Sequence, residues 1–394
     1  MQVHVDDPGI YNNDSGPDFL DASFTLDGMQ WIGLVEIHIK SSDWFKHRHQ
    51  NDPNYDLVLL HVVYENDRPV FRSDKTPIPT IELKGRISYS TEIRFNGFDP
   101  FADIVCQFHI HSIEPITLKK SIEENARQRL KKRVDSLHQE LKSLEGDWEE
   151  LVFRRIVRAF GFKLNEKGFK HIAHSISVRD LRKVAQSKFQ IEALLLGIAG
   201  FLESSRKDSS LNTLSTEFAF MKQKLGRELN IAHPVIWNLK RSRPTSSPIV
   251  RIAQLSSLLA ERKSLFAGVR NIRSIKEANH FLSSSNSENG CTCNSSKVGS
   301  DQSLGKESIR HLIINVVVPV QAGWKAYIGS NGMEPIELLE GLSPESNRIV
   351  SRWKACHIVP SNAMESQGLI ELYNQLCCHK ACLSCRIGHE VFNR

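Results

Sequence analysis

Near residue 118 the apolar residues of this chain change period, and that change constrains the fold more than any other feature. Upstream, Ala22–Leu26, Gln30–Ile39 and Leu57–Tyr64 are short runs rich in β-branched and aromatic residues. They are broken at Asp27-Gly28 and Asn66-Asp67, as strands joined by turns would be. Asp27-Gly28 between two such runs predicts a tight hairpin. Ile78–Ile87 predicts another strand, which Pro77 and Pro79 push toward a sheet edge. His47–Tyr55 is polar and reads as a loop or short helix. Downstream, Ile122, Ala126, Leu130, Val134, Leu137, Leu141 and Leu144 recur at the three-or-four spacing of one helix face. Helical patterning continues through Trp148–Phe160, Phe189–Glu203, Ser215–Leu229, Pro248–Arg262, Ile309–Tyr327 and Ala363–Cys377, with Gly197 and Gly200 suited to a close helix contact. The expected fold is therefore α+β: a β-rich α/β domain over residues 1–115, then a large all-α domain over 116–394.

Composition narrows the class further. With 40% hydrophobic and 24% charged residues the chain can build a core, which excludes a mostly disordered protein. The longest apolar runs, Ile191–Leu202 and Leu312–Val320, fall short of the roughly 20 residues a membrane span needs. The N-terminus has neither a basic nor an apolar leader segment, so a cytoplasmic protein with reduced thiols is expected. The net charge of +6 permits DNA or RNA as a partner without requiring one. Arg127, Arg129, Lys131, Lys132 and Arg133 could follow a nucleic-acid backbone, or could form a solvated helix face, since Glu123, Glu124, Asp135 and Glu140 are interspersed. Arg241, Arg243 and Arg251 flank the start of the Pro248 helix and read either as phosphate contacts or as a solvated turn. Gly305-Lys306-Glu307-Ser308 lacks the upstream glycine of a phosphate loop, which argues against a nucleotide triphosphatase. Residues 281–303, rich in Ser, Asn and Gly, are expected to form a mobile insertion with Cys291 and Cys293 as incidental passengers.

The chemistry concentrates between Asn12 and Asp52. In Val35-Glu36-Ile37-His38-Ile39-Lys40, alternate residues share a face. Val35, Ile37 and Ile39 suit a core, whereas Glu36, His38 and Lys40 would be costly to bury unpaired. Asp18 precedes the preceding strand, and antiparallel pairing would set its carboxylate beside Glu36. Two carboxylates with a Lys or His nearby can hold Mg²⁺ or Mn²⁺ and orient a hydrolytic water. Asp18 and Glu36 are the expected metal ligands, with Lys40 or His38 positioning the water. His47, His49 and His61 lie close enough in sequence to line the same sheet end as substrate-binding groups. The alternative is a polar, solvent-facing strand.

Pro17-Asp18 followed by Glu36-Ile37-His38 resembles the signature of the restriction-endonuclease-like superfamily, Pro-Asp and then Asp/Glu-X-Lys on the next strand. It departs from that signature at the third position, where His38 replaces Lys and Lys40 stands one alternation further on. The resemblance implies a metal-dependent nuclease-like phosphodiesterase. A non-catalytic nucleic-acid- or protein-binding scaffold is the rival reading.

The chain ends with a second cluster, Cys377, Cys378, Cys382 and Cys385. Cys382-X-X-Cys385 has chelating spacing, Cys378 adds a third sulfur, and Cys377, His379, His389 or Cys356 could supply a fourth ligand. A structural zinc site and simple core packing are both compatible with this pattern. The superfamily resemblance adds an iron–sulfur cluster, which some of its nucleases carry near the C-terminus.

Asn12–Phe19, Trp31–Trp44, Tyr55–Asp67, Ile78–Arg86, Asp147–Phe162, Phe189–Phe201, Pro248–Leu259, Leu304–Pro319 and Asn362–Gly388 together are similar to the bacterial domain-of-unknown-function family numbered 2851. This resemblance supplies no reaction. It implies that the closing cysteine pattern is a family feature, and that a helical segment ordinarily precedes the Asp7-Pro8-Gly9 region.

Overall fold

Asp27 and Gly28 lie at φ +48° and +86°, the two positive values that a type I′ hairpin turn demands. In this computed structural model, which describes residues 2–12, 15–87, 102–202, 209–233, 236–239, 247–283, 304–330 and 335–392, that turn joins the two central strands of the sheet. The strands are β1 (Val3–Asp7), β2 (Ile10–Tyr11), β3 (Phe19–Leu26), β4 (Met29–Lys40), β5 (Val58–Glu65) and β6 (Thr80–Glu82). They lie in the order β1-β3-β4-β5-β6, with β2 also on β3. The sheet is mixed: β3 and β4 run antiparallel, whereas β4–β5 and β5–β6 are parallel. The strand expected at Ile78–Ile87 shrinks to three residues at the edge, downstream of the two prolines.

The chain divides into two compact units, one formed by Met1–Glu114 with Asn374–Arg394 and the other by Pro115–Tyr373. The C-terminal cysteines thus belong with the sheet and not with the helices. The second unit is mostly helical, as the change of period predicts. Pro115–Ser143 forms one helix of 29 residues, Trp148–Ala159 and Pro248–Glu261 coincide closely with their predicted spans, and Lys188–Ile198 starts as predicted but ends short of the expected Glu203. Ser247 caps the last of these by accepting the Val250 N–H, with Pro248 in the first turn. The helices at Glu166–Ser175, Val178–Val184 and Leu265–Asn271 are additional to the predicted ones, each being at most three turns long.

A large core in the helical unit is built around Leu137, Phe153, Ile156, Phe169, Leu194 and Val317. Gly197 makes the expected close contact, since a Cβ there would sit 2.3 Å from the Phe218 ring. Gly200 instead takes φ +77° and ends its helix. The basic face of the long helix is partly turned inward. Arg129 and Lys132 reach the buried Glu371 carboxylate at 2.9 and 2.8 Å, and Arg133 donates to the Ile314 carbonyl. Most of the insertion expected at 281–303, with Cys291 and Cys293, and the Arg241 and Arg243 turn lie outside the described residues. Phe281 and Leu282 close the helix Ile275–Leu282.

Candidate metal centre

The alternation along β4 is real, and Val35 is buried as expected, but from Glu36 to Ile39 the faces are the reverse of the expected ones. Ile37 and Ile39 are 43% and 72% exposed, while Glu36 and His38 are buried. Parallel pairing sets Glu36 opposite His61, itself fully buried. The β4–β5 connection then folds over the polar side, contributing the short helix Asp43–Lys46 and two 3₁₀ turns, His49–Asn51 and Pro53–Tyr55. Asp67 fastens the start of this connection by accepting hydrogen bonds from the Ser41 hydroxyl and from the Ser42 N–H and hydroxyl. Those bonds, chiefly the Ser42 N–H, hold its carboxyl down at about 2.

Asp18 meets Glu36 as strand adjacency predicts. The Asp18 N–H donates to Glu36 Oε2 at 3.0 Å, and the Ile37 N–H donates to Asp18 Oδ2 at 2.9 Å. Burial raises the Asp18 pKa, with the Ile37 N–H opposing and the Glu36 charge adding to the rise. Glu36 Oε1 lies 3.5 Å from His38 Nε2 and 3.3 Å from His49 Nε2. One ligand nitrogen from each of His38, His47 and His49 falls within 4.8 Å of the other two. His49 Nε2 is buried and makes no hydrogen bond among the described residues.

His38 bridges two further imidazoles, with Nδ1 2.8 Å from His61 Nε2 and Nε2 3.1 Å from His47 Nδ1. Burial drives His38 down to about 4 and His61 down to about 3, so both rings are neutral near pH 7 and able to offer a lone pair. Trp44 stands edge-on to His49 and His61 at 5.3 Å, and Tyr55 stacks on His49 at 3.7 Å. This apolar wall shields His49 and His61 from bulk water, whereas His47 is exposed. Arg48, between His47 and His49, has φ +63°. A non-glycine residue in that region is strained by about 1 kcal/mol or more, and here the strained turn lets both flanking rings converge. Asp21 at φ +56° marks a bulge in β3 close to Asp18.

Lys40 does not join this group. Its ammonium is half-exposed and lies 3.6 Å from Glu65 Oε2 at the end of β4. The set brought together is Asp18, Glu36, His38, His47, His49 and His61, with Trp44 and Tyr55 as enclosing residues that sequence alone did not single out.

At the C-terminus, the Cys377 thiol is flanked by those of Cys106, Cys385, Cys382 and Cys378; burial first, then these neighbours, push its pKa up. Cys106 went unnoticed in the sequence because more than 270 positions separate it from the others. Cys385 sulfur faces the backbone N–H groups of Ile387 and Gly388. A Cβ on Gly388 would lie 2.1 Å from the Cys382 carbonyl, so only glycine permits that turn. Cys378 is exposed and donates to the Asn374 carbonyl at 3.0 Å. Cys356 belongs to the helical unit.

The chain belongs to the family described as "Protein of unknown function (DUF2851)", whose family model matches residues 1–348. The closing cysteine pattern lies beyond the matched segment. No curated protein and no solved structure matches the chain. Among the described residues, no helix is long and apolar enough to cross a membrane.

Proposed function

We propose that this DUF2851 member is a metal-dependent phosphodiesterase acting on nucleic acid, with its metal held by Glu36, His38, His47 and His49 and with Asp18 as the second carboxylate. The observation that carries this reading is the convergence of three imidazole nitrogens, two of them within 3.5 Å of Glu36 Oε1 and one buried without a hydrogen bond. Carboxylates alone would favour Mg²⁺. A set richer in imidazole shifts the preference toward Mn²⁺ or Zn²⁺. A bound divalent ion would polarise a phosphoryl oxygen and lower the pKa of a coordinated water.

The protein groups have separate tasks. His61 orients the His38 ring through the 2.8 Å nitrogen–nitrogen contact. Asp18, held by the Ile37 N–H and raised by burial, is suited to accept a proton from an attacking water. Trp44 and Tyr55 keep the His49 and His61 side dry. Lys40, engaged with Glu65, is not needed in this scheme, and His38 fills the third place of the nuclease-like signature. DNA or RNA as substrate rests on that signature.

Single- and double-stranded DNA and RNA should be cleaved by the full chain in Mn²⁺ or Zn²⁺, and cleavage should vanish in Glu36→Gln and His49→Ala. Equal cleavage by wild type and both variants would defeat the assignment. The rival scaffold reading, in which the C-terminal cysteines bind a structural zinc ion or iron–sulfur cluster, lacks a preformed site: among the described residues the one group of three ligand atoms within 4.8 Å of one another is that of His38, His47 and His49. Elemental analysis and the visible spectrum of anaerobically purified protein test it; absence of both zinc and iron would leave the cysteines as packing.

A further inference from the structure

The helical unit contains positive charge that the protein leaves uncompensated. A cleft of about 350 Å³ is lined by Arg155, Arg158, Lys163, Lys170, His311 and Asn315, among others. Arg155 and Arg158 share the Glu140 carboxylate at 2.7 and 2.6 Å. Glu166 is the acid on the cleft wall, and it is exposed. The remaining cations have no carboxylate within 4 Å among the described residues.

Behind the cleft wall, on the far side of Phe162, Arg251 adds further positive charge. Its guanidinium lies 4.4 Å over the Phe162 ring, donates to Gln254, and keeps a buried Nε without a hydrogen bond. Arg133 donates to the Ile314 carbonyl, with Arg129 at longer range and Glu345 and Glu371 opposing it. His311 packs on Phe162 at 4.7 Å, and Arg133, Arg251 and Lys163 surround it with positive charge. Burial lowers Arg133 and Arg251 to about 10 and His311 to about 4.

Two local distortions shape this cleft. Phe162 has φ +47°, and the helix carrying His311 and Asn315 widens to a π turn over Ile313–Val317. Such turns and strained residues cluster where a chain is shaped around a ligand. Arg155 and Arg158 share one carboxylate and Lys163 and Lys170 have none within 4 Å, so the cleft carries net positive charge that a multiply charged anion would balance. Arginine's planar fork matches phosphate, and the volume suits a small ligand.

We propose that the cleft lined by Arg155, Arg158, Lys163 and Lys170 binds a phosphate group, carried by a small phosphorylated molecule or by a nucleic-acid terminus. This site is separate from the sheet centre, and its existence does not depend on that centre being catalytic.

Titration calorimetry of the full chain with pyrophosphate tests it. Binding is expected in wild type and in Asp18→Asn, with about tenfold weakening in Lys170→Gln and in Lys163→Gln, the loss expected for one charge-assisted contact. Lys163 is exposed, so that variant should fold normally. A 5′-phosphorylated oligonucleotide binding at least tenfold tighter than its unphosphorylated form would identify a nucleic-acid end as the source. Retained pyrophosphate binding without that preference would identify a small molecule. No pyrophosphate binding at millimolar concentration, or equal binding by wild type and both cleft variants, would overturn the proposal.

Discussion

The sheet site and the helical cleft both withdraw ionisable groups from water, but they balance them differently. In the sheet, carboxylates and imidazoles face one another, and the rings meet nitrogen to nitrogen at 2.8 and 3.1 Å. At the cleft, Arg133, Arg251 and Lys163 surround a single imidazole. The first arrangement offers lone pairs and suits a cation. The second offers N–H groups and suits an anion. Similar burial thus prepares opposite ligands, because the sign of the surrounding partners decides which charge is missing.

The largest expected effect tests this opposition directly. Glu36→Ala should lower Mn²⁺ affinity by about two orders of magnitude or more, whereas Lys170→Gln should leave it unchanged; calorimetry with Mn²⁺ checks both. A fall of similar size in Lys170→Gln would show that the two sites are not independent. Next comes Glu371→Ala in the helical unit, which strands Arg129 and Lys132 beside a vacated buried position. A loss of about 3 kcal/mol is expected in urea unfolding, and a loss below about 1 kcal/mol would mean that the inward cations find water instead.

A smaller effect follows from His311. Its folded pKa, about 4, lies below the unfolded value near 6.5, so folding favours the neutral ring. That contribution is complete above pH 6.5 and is lost as pH falls from there toward 4. The urea midpoint of the helical unit should decline across this window, and His311→Asn should flatten the decline. An unaltered slope would remove His311 as its cause. The smallest effect is Lys40→Ala. With its ammonium half-exposed beside Glu65, the variant should stay within about twofold of wild type in Mn²⁺ affinity. A tenfold loss would return Lys40 to the metal centre.

How much of this was legible varies with the range of the interaction. Asp18, Glu36 and the Asp27-Gly28 turn were readable because a hairpin between adjacent strands is a local event. The face assignment was not. Alternation places Glu36 and His38 together, yet it cannot say whether solvent or protein covers them, and the β4–β5 connection with Trp44 and Tyr55 supplied the cover. Cys106 and the inward turn of Arg133 toward Ile314 were illegible for a different reason: they depend on groups brought near from distant parts of the sequence.

The sequence by itself determined the division into a β-rich start and a helical remainder, the hairpin, the long helix and the concentration of metal-binding residue types before residue 62. These follow from side-chain period and turn stereochemistry, which act over a few residues. Only the tertiary structure decided which face of β4 is buried, that Lys40 leaves the centre, that the last cysteines join Cys106, and that buried cations gather beside His311. Each depends on which distant groups share a small dehydrated volume, where the free energy of a charge is set by its neighbours and not by its place in the chain.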